Sequence, residues 1–226
     1  MKYENIVEGV FLNRPNRFIA QVLVDGKEQT VHVKNTGRCK ELLISGTPVW
    51  LQKSDNPLRK TAFDLVAVKK GDGVVNIDSQ IPNSVAYEWL KKGSLFSENA
   101  VIKREVTHGD SRFDLFVEDG KRKAFIEVKG VTLERNGVAA FPDAPTLRGI
   151  KHLNGLVKCR EEGFEAYVIF IIQMKGVHLF TPNYETHFEF GEALKAAKEK
   201  DVRIIALDCI VTPNSIEADN FINIEI

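Results

Sequence analysis

The feature that most constrains the fold is a pair of apolar runs flanking Asp119-Gly120, within residues 111–131. The runs are Phe113–Val117 and Ala124–Val128. Asp-Gly between alternating hydrophobic residues is a strong local signal for a two-stranded hairpin. We therefore expect the chain to be organised around an antiparallel strand pair in this region.

A two-residue Asp119-Gly120 loop fixes a register for this hairpin. It places Asp114 opposite Phe125 and Arg112 opposite Glu127, and residues directly opposite each other share a face. One face is then wholly apolar and comprises Phe113, Leu115, Val117, Ala124, Ile126 and Val128. The other face carries Arg112, Asp114, Phe116, Lys123, Phe125, Glu127 and Lys129.

The second face predicts a metal site. Asp114 and Glu127 are diagonal neighbours in this register, and their carboxylates can converge on a hard cation such as Mg²⁺ or Mn²⁺. Lys129 points the same way and can orient a water or neutralise charge on a phosphate. Asp followed by Glu-x-Lys on the next strand resembles the PD-(D/E)xK nuclease superfamily. The alternative is that these are ordinary exposed charges, but Phe116 and Phe125 on the same face favour a partly covered site.

The resemblance to PD-(D/E)xK enzymes also implies a further acidic ligand from an element before the hairpin. Two candidates precede it, Glu88 in a helix predicted from Ser84 to Lys92 and Glu105 in a strand predicted from Ala100 to Val106. Arg112, on the same face as the acids, is a candidate for contact with nucleic acid.

Composition limits the location and the partners. Lys plus Arg and Asp plus Glu both number 31, so nucleic acid would have to bind a local basic surface. The three cysteines are widely spaced, which indicates neither a zinc site nor a disulfide framework. The longest apolar run, residues 166–172, is too short to cross a bilayer, and residues 1–10 lack a signal-peptide core. We expect a cytoplasmic protein that does not contact membranes.

Residues 1–82 are predicted to form an all-β domain resembling an OB barrel. The predicted strands are Ile6–Leu12, Phe18–Val24, Gln29–Val33, Pro48–Leu51, Ala62–Lys69 and Val74–Ile77. Basic residues lie in the connections, among them Arg17, Lys34 and Arg38. They are candidates for nucleic-acid contact, with solvated loop charge as the alternative.

Residues 83–226 are predicted to form an α/β domain with a mixed sheet flanked by helices, like a restriction endonuclease. After the hairpin, a helix over residues 146–162 carries Leu147, Ile150, Leu153, Leu156 and Val157 at helical spacing, which predicts its buried stripe. Arg148, Lys151 and His152 fall on another side, as a basic ridge suited to phosphate oxygens. Asp143 lies in the preceding loop, where it serves the site or braces the turn.

Five segments resemble the sugar fermentation stimulation protein (SfsA) family almost end to end. They are PNRFIAQV, VKNTGRC, SRFDL, FIEVKGVTL and FPDAPTLRGIKHL. The resemblance implies an OB-like domain followed by a PD-(D/E)xK nuclease-like domain, and DNA binding without sequence specificity. Its acidic pair and lysine fall on Asp114, Glu127 and Lys129. Its second cluster and its Asn-Thr-Gly loop fall on Phe141, Asp143, Thr146, Arg148, Gly149, Lys151, His152, Asn35, Thr36 and Gly37.

Three functions follow from these patterns. The first is a metal-dependent nuclease acting on nucleic acid, expected to be DNA, with Asp114 and Glu127 as ligands and Lys129 beside them. The second is a DNA-binding regulator of sugar metabolism genes with little or no nuclease activity. The third, glycoside hydrolysis by two carboxylates, is disfavoured by the adjacent lysine and the basic ridge.

Overall fold

The computed structural model describes residues 1–35 and 37–226. Its N-terminal part comprises β1 (Ile6–Asn16), β2 (Ile19–Val24), β3 (Lys27–Val33), β4 (Pro48–Lys53), β5 (Phe63–Lys70) and β6 (Gly73–Asn76). Strands β3, β2, β1, β4 and β5 are successive antiparallel neighbours, and β3 also pairs with β5 in parallel. This pairing closes a five-stranded barrel, so the predicted OB-like architecture is confirmed.

Alternation of apolar and polar residues builds the barrel, because successive side chains of a strand point to opposite faces. In β2 the buried residues are Ala20, Val22 and Val24, and the residues between them are at least partly exposed. They pack on the interior-facing residues Val31 and Leu51 of neighbouring strands. The apolar interior leaves the charged connections on the outside.

The C-terminal part contains all three helices of the described chain and ten further strands. They are α1 (Pro82–Lys91), β7 (Val101–His108), β8 (Ser111–Asp119), β9 (Arg122–Val131), β10 (Glu134–Arg135), β11 (Val138–Phe141), α2 (Leu147–Glu161), β12 (Glu165–Ile172), β13 (Leu179–Pro182), α3 (Phe188–Glu199), β14 (Arg203–Thr212), β15 (Ser215–Phe221) and β16 (Asn223–Ile224). No helix in the described ranges is both long and apolar enough to cross a membrane.

The central sheet has the strand order β15-β14-β12-β9-β8-β7. β9, β12 and β14 run parallel, β8 and β15 are antiparallel to them, and the edge strand β7 is antiparallel to its neighbour β8. β12 is almost entirely buried, as expected for a strand covered on both faces. Helix α1 packs on one face and α2 and α3 on the other, which confirms the predicted mixed sheet with flanking helices. A second sheet, in the order β10-β11-β13-β16, was not predicted.

The hairpin forms, but its register differs by two residues from the predicted one. Asp119 pairs with Arg122, and Phe116 pairs with Phe125, so the turn residues are Gly120 and Lys121. A shift of two preserves the faces of most side chains. Phe113 is the exception, because it joins Phe116 and Phe125 in the cluster under α2, whereas Leu115 and Val117 pack under α1.

Helix α2 begins as predicted, and four of the five predicted stripe residues pack on the core, two of them fully buried. The Thr146 side chain caps the helix by accepting a hydrogen bond from Gly149 N at 3.0 Å. Leu153 and Leu156 are buried, but Leu147 is 78% exposed. Leu147 is the first residue of the helix, beyond the edge of the packed surface, so its helical spacing was misleading.

A buried glutamine joins the two parts of the chain. The Gln173 side chain, directly after β12, donates to Asn76 O, Asn76 Oδ1 and Asp78 O at 3.1, 2.9 and 3.0 Å. Asn76 N in turn donates to Gln173 O at 3.0 Å. Because Gln173 and Asn76 are each 1% exposed, these bonds hold the barrel against the end of the central sheet without competition from water.

Candidate functional site

Asp114 lies where the β8–β9 ladder ends. The last ladder pair on this side is Leu115 with Ile126. Beyond it, Asp114 Oδ2 accepts a hydrogen bond from Val128 N at 2.8 Å, so the carboxylate occupies the place of a ladder carbonyl. Asp114 Oδ1 accepts from Asn83 Nδ2 at 2.7 Å, at the start of α1. Sequence reasoning missed Asn83, which is only the first residue of the predicted α/β domain.

Glu127 is 2% exposed and is oriented through one of its two carboxylate oxygens. Oε1 accepts a hydrogen bond from Lys129 Nζ at 2.5 Å and another from His152 Nδ1. Oε2 is buried and has no hydrogen-bond partner among residues 1–35 and 37–226. A carboxylate oxygen without a partner in a buried place is costly, because burial removes the water that would otherwise solvate it. Oε2 therefore marks a place where a cation or a donor would be stabilised.

His152 serves as the partner of Glu127 and does not lie on an exposed ridge. It is buried on α2, and Arg148 Nε donates to its Nε2 at 3.4 Å. With Arg148 donating to Nε2, we assign the ring proton to Nδ1, which donates to Glu127. Arg148 and Lys151 are exposed on the same helix, as predicted.

The two carboxyl groups have opposite pKa shifts. Burial raises the pKa of Asp114, and the nearby charge of Glu127 raises it further. Burial also acts to raise the pKa of Glu127, but the hydrogen bond from His152 and the charge of Lys129 outweigh it, so that pKa lies below its ordinary value. The site thus holds one firmly ionised carboxylate beside one that protonates more readily.

The donor set suits a cation that brings most of its own ligands. Within residues 1–35 and 37–226, no group of three His, Cys, Asp or Glu side chains is arranged to hold a metal ion. Mg²⁺ is commonly bound by one or two carboxylates, with waters and substrate phosphates completing its shell. Asp114 keeps free lone pairs beside its two hydrogen bonds, and Glu127 keeps Oε2. The pair therefore fits Mg²⁺ or Mn²⁺.

The two further acids suggested from the sequence do not join this pair. Glu88 forms an ion pair with the N-terminal ammonium of Met1 at 2.5 Å, beside β15. Glu105 is 63% exposed on the edge strand β7 and pairs with Arg112 at 2.9 Å. Each has a local partner instead, and that pairing also places Arg112 at the sheet edge.

A cavity of about 150 Å³ lies between the barrel and the α/β domain, and part of its lining directly follows Lys129 in the chain. Asn35, Gly37, Asp143 and Gln173 line it, together with residues 130–133. A Cβ atom at Gly37 would overlap Asp143 Oδ2, so only glycine allows this approach of the two loops. The structure thus brings Asn35 and Asp143 together, while Thr36 lies outside the described residues.

The basic residues of the barrel have different surroundings. Lys34 lies 3.3 Å from Asp64 and 3.5 Å from Asp78, so it neutralises buried acids. Arg38 is exposed, and the Arg17 guanidinium lies 5.1 Å from the centre of the exposed Phe18 ring.

Arg14 is another of the basic residues in the barrel connections, and it organises the loop between these cations. Its guanidinium donates to the carbonyl oxygens of Arg17, Asn35, Gly37 and Arg38 at 2.6 to 2.8 Å. Four carbonyl acceptors on one guanidinium hold the loop in place, with Arg38 turned to solvent.

Family comparison matches both parts of the chain. Residues 12–77 match the family described as SfsA N-terminal OB domain. Residues 80–215 match the family described as Sugar fermentation stimulation protein RE domain. The chain belongs to the SfsA family.

SfsA relatives match over the full length. A sugar fermentation stimulation protein homolog from Desulfitobacterium hafniense (strain Y51) is 58% identical over 226 residues, covering 100% of this chain and 99% of the relative. A homolog from Clostridium beijerinckii is 56% identical over 224 residues, with 99% of both chains covered. The solved structure of Pyrococcus furiosus SfsA in complex with Ca²⁺ matches with a TM-score of 0.89 and 29% identity, covering 100% of this chain and 98% of that one.

Proposed function

We propose that this protein is a nuclease that hydrolyses phosphodiester bonds of nucleic acid, expected to be DNA, and depends on Mg²⁺ or Mn²⁺. The observation that carries the proposal is the unpartnered, buried Oε2 of Glu127 beside the Asp114 carboxylate. A divalent ion held by these two acids would supply positive charge against the charge that develops on the phosphate. The solved structure of P. furiosus SfsA is a complex with Ca²⁺, which supports a divalent-ion site in this chain.

The protein's own groups supply orientation and charge. His152 and Lys129 both bond Glu127 Oε1, which fixes the carboxylate and directs Oε2 away from them. Lys129 is a cation only 17% exposed and two residues from Glu127, so it can also hold a phosphate oxygen near the acids. Arg148 and Lys151, exposed on α2, extend this positive charge for the flanking phosphates.

The barrel provides a second contact for the same strand. Arg17, Arg38 and Lys40 line a cavity of about 310 Å³ together with Arg14. Phe18 is 46% exposed beside Arg17. A basic groove with an exposed aromatic ring is the usual combination by which OB domains bind single-stranded nucleic acid.

A DNA-binding regulator of sugar metabolism genes on the same scaffold is the second candidate. It is favoured by the small donor set, since only two acids meet at the site within the described part of the chain. The two candidates differ in metal binding and in cleavage.

The deciding experiment compares wild-type protein with Glu127→Gln. Labelled single- and double-stranded DNA and RNA are incubated with and without Mn²⁺, and Mn²⁺ binding is measured separately by calorimetry. We expect Mn²⁺-dependent cleavage by the wild type. The cleavage rate of the variant should fall by at least about a hundredfold, because mutation of groups that only orient a metal ligand already lowers metal affinity or activity by about 10- to 100-fold.

Glu118→Gln is the matched control, because Glu118 is an exposed hairpin acid paired with Lys103. It should cleave and bind Mn²⁺ like the wild type. Cleavage by Glu127→Gln at the wild-type rate would refute the site assignment. Nucleic-acid binding without Mn²⁺ binding or cleavage by the wild type would favour the regulator.

A further inference from the structure

Two large apolar side chains are exposed at the beginnings of two neighbouring helices. Leu147, the first residue of α2, is 78% exposed, and Phe188, the first residue of α3, is 59% exposed. Solvent exposure of an isolated apolar side chain is ordinary, but two at one place indicate an interaction surface. We call Leu147, Phe188 and the adjoining Tyr184 the apolar rim.

The two helix starts touch. Thr146 N donates to His187 Nδ1 at 3.3 Å, and these two residues cap α2 and α3. Leu147 and Phe188 each follow one partner of that contact. The two exposed side chains therefore stand at adjoining helix starts.

This surface adjoins the acidic site. Arg148 follows Leu147 directly, and its Nε donates to His152 Nε2 at 3.4 Å. The other ring nitrogen of His152 bonds Glu127. A strand with one phosphate at Glu127 and the next at Arg148 would therefore have its bases beside Leu147.

The rim is supported from beneath. The Phe188 ring lies 5.8 Å from the Tyr184 ring, centre to centre. Tyr184 lies flat against Gly191, where a Cβ atom would overlap its ring. Because Phe190 is fully buried on the same turn of α3, Phe188 is held on a fixed base and need not be ordered when a partner binds.

We infer that the apolar rim stacks against unpaired bases of a nucleic-acid strand, so that the substrate is single-stranded or has a frayed end. This inference rests on the proposed function. Cations from Arg148 and Lys151 and the positive ends of two helices adjoin the apolar surface, which suits a chain of phosphates and exposed bases. Paired bases hide their faces in the stack, so a closed duplex would leave the rim uncovered. Exposed acids adjoin the rim on the α3 side, namely Glu185, Glu189 and Glu192, with Glu189 Oε2 3.6 Å from His187 Nε2, so the phosphates are expected on the α2 side at Arg148 and Lys151.

The test measures binding of fluorescein-labelled oligonucleotides without divalent ions, so that cleavage does not interfere. The probes are a single strand, a blunt duplex and a duplex with unpaired ends. We expect Phe188→Ala to weaken single-strand binding by about five- to a hundredfold, the range for loss of one base–aromatic stacking contact, and Leu147→Ala to weaken it by a smaller factor of roughly three or more through loss of apolar contact. Binding of the blunt duplex should be unchanged.

Ile210→Ala serves as the matched control, because Ile210 is 48% exposed on β14, away from the helix starts. It should bind every probe like the wild type, and thermal melts should show that all three variants fold. Wild-type binding of all probes by Leu147→Ala and Phe188→Ala would overturn the stacking role while leaving the proposed function intact. A wild type that binds no probe would overturn both. Loss of self-association in the two variants, with unchanged nucleic-acid binding, would assign the rim to contact between copies of the chain.

Discussion

Replacing His152 with leucine removes the donor that orients Glu127 while filling most of the space of the ring. Glu127 Oε1 would keep Lys129, but the carboxylate would lose its buried partner. Hydrogen bonds to charged groups contribute about 1.5–3 kcal/mol, and both residues are more than nine-tenths buried. We expect the free energy of unfolding to fall by about 2–3 kcal/mol, which for a chain of this size lowers Tm by roughly 4–12 °C.

The loss should depend on pH, because the hydrogen bond from His152 helps to hold the pKa of Glu127 below its ordinary value. In the wild type, the ionised carboxylate contributes stability above its unfolded-state pKa, and that contribution is lost as pH falls through the lower folded-state pKa. In His152→Leu, burial dominates and the pKa rises, so the ionised carboxylate becomes destabilising. The variant's deficit should therefore be largest at neutral pH and shrink as the solution is acidified.

Urea unfolding followed by tryptophan fluorescence measures this, since Trp89 reports on α1 and Trp50 on the barrel. The double variant His152→Leu/Glu127→Met removes both partners and should recover at least about half of the loss. His108→Leu is the control, because it breaks an exposed pair with Glu162 and should cost no more than about 1 kcal/mol. Additive costs in the double variant, or a deficit independent of pH, would refute the reasoning.

Three further outcomes are expected. Gln173→Met should cost about 2–4 kcal/mol in urea unfolding, because it leaves buried acceptors unpaired, whereas exposed Gln80→Met should be nearly neutral; equal costs would contradict this. Burial acts to raise the pKa of Asp64, but Arg59 and its neighbours lower it to about 2. The ionised Asp64 should therefore stabilise the fold by about 2 kcal/mol at neutral pH. Asp64→Asn should lose that amount at neutral pH and little near pH 2, because the lowered pKa contributes only while Asp64 is ionised; a pH-independent loss would contradict it. Gly155→Ala should lower Tm, because its Cβ would lie 2.6 Å from Ser111 Oγ on β8; an unchanged melt would show that α2 can shift.

The hairpin shows where prediction from sequence succeeded and where it stopped. Apart from Phe113, alternation predicted which apolar residues share a face, because side chains of a strand alternate whatever the register. The turn could not be placed, since Asp119-Gly120 and Gly120-Lys121 are both acceptable two-residue loops that differ by two in register. Only the pairing of Asp119 with Arg122 decided between them.

The hydrogen-bond partners of Asp114 and Glu127 could not be predicted from the sequence, for another reason. Asn83 bonds Asp114 although the two are 31 positions apart in the sequence, and His152 bonds Glu127 although they are 25 positions apart. No periodicity relates residues on different elements, so these contacts depend on how α1 and α2 pack on opposite faces of the sheet. The same packing buried His152 and left Leu147 exposed, although helical spacing suggested the reverse.

The sequence by itself therefore determined the two domains, the barrel and the mixed sheet, because these depend on local apolar patterns. It also marked Asp114, Glu127 and Lys129, through their spacing on adjacent strands. The tertiary structure alone decided that Glu127 Oε2 is buried without a partner in the described part of the chain and that Glu88 and Glu105 lie elsewhere. Burial and pairing arise only when separate elements close over one another, so the chemistry of the site belongs to the packed molecule.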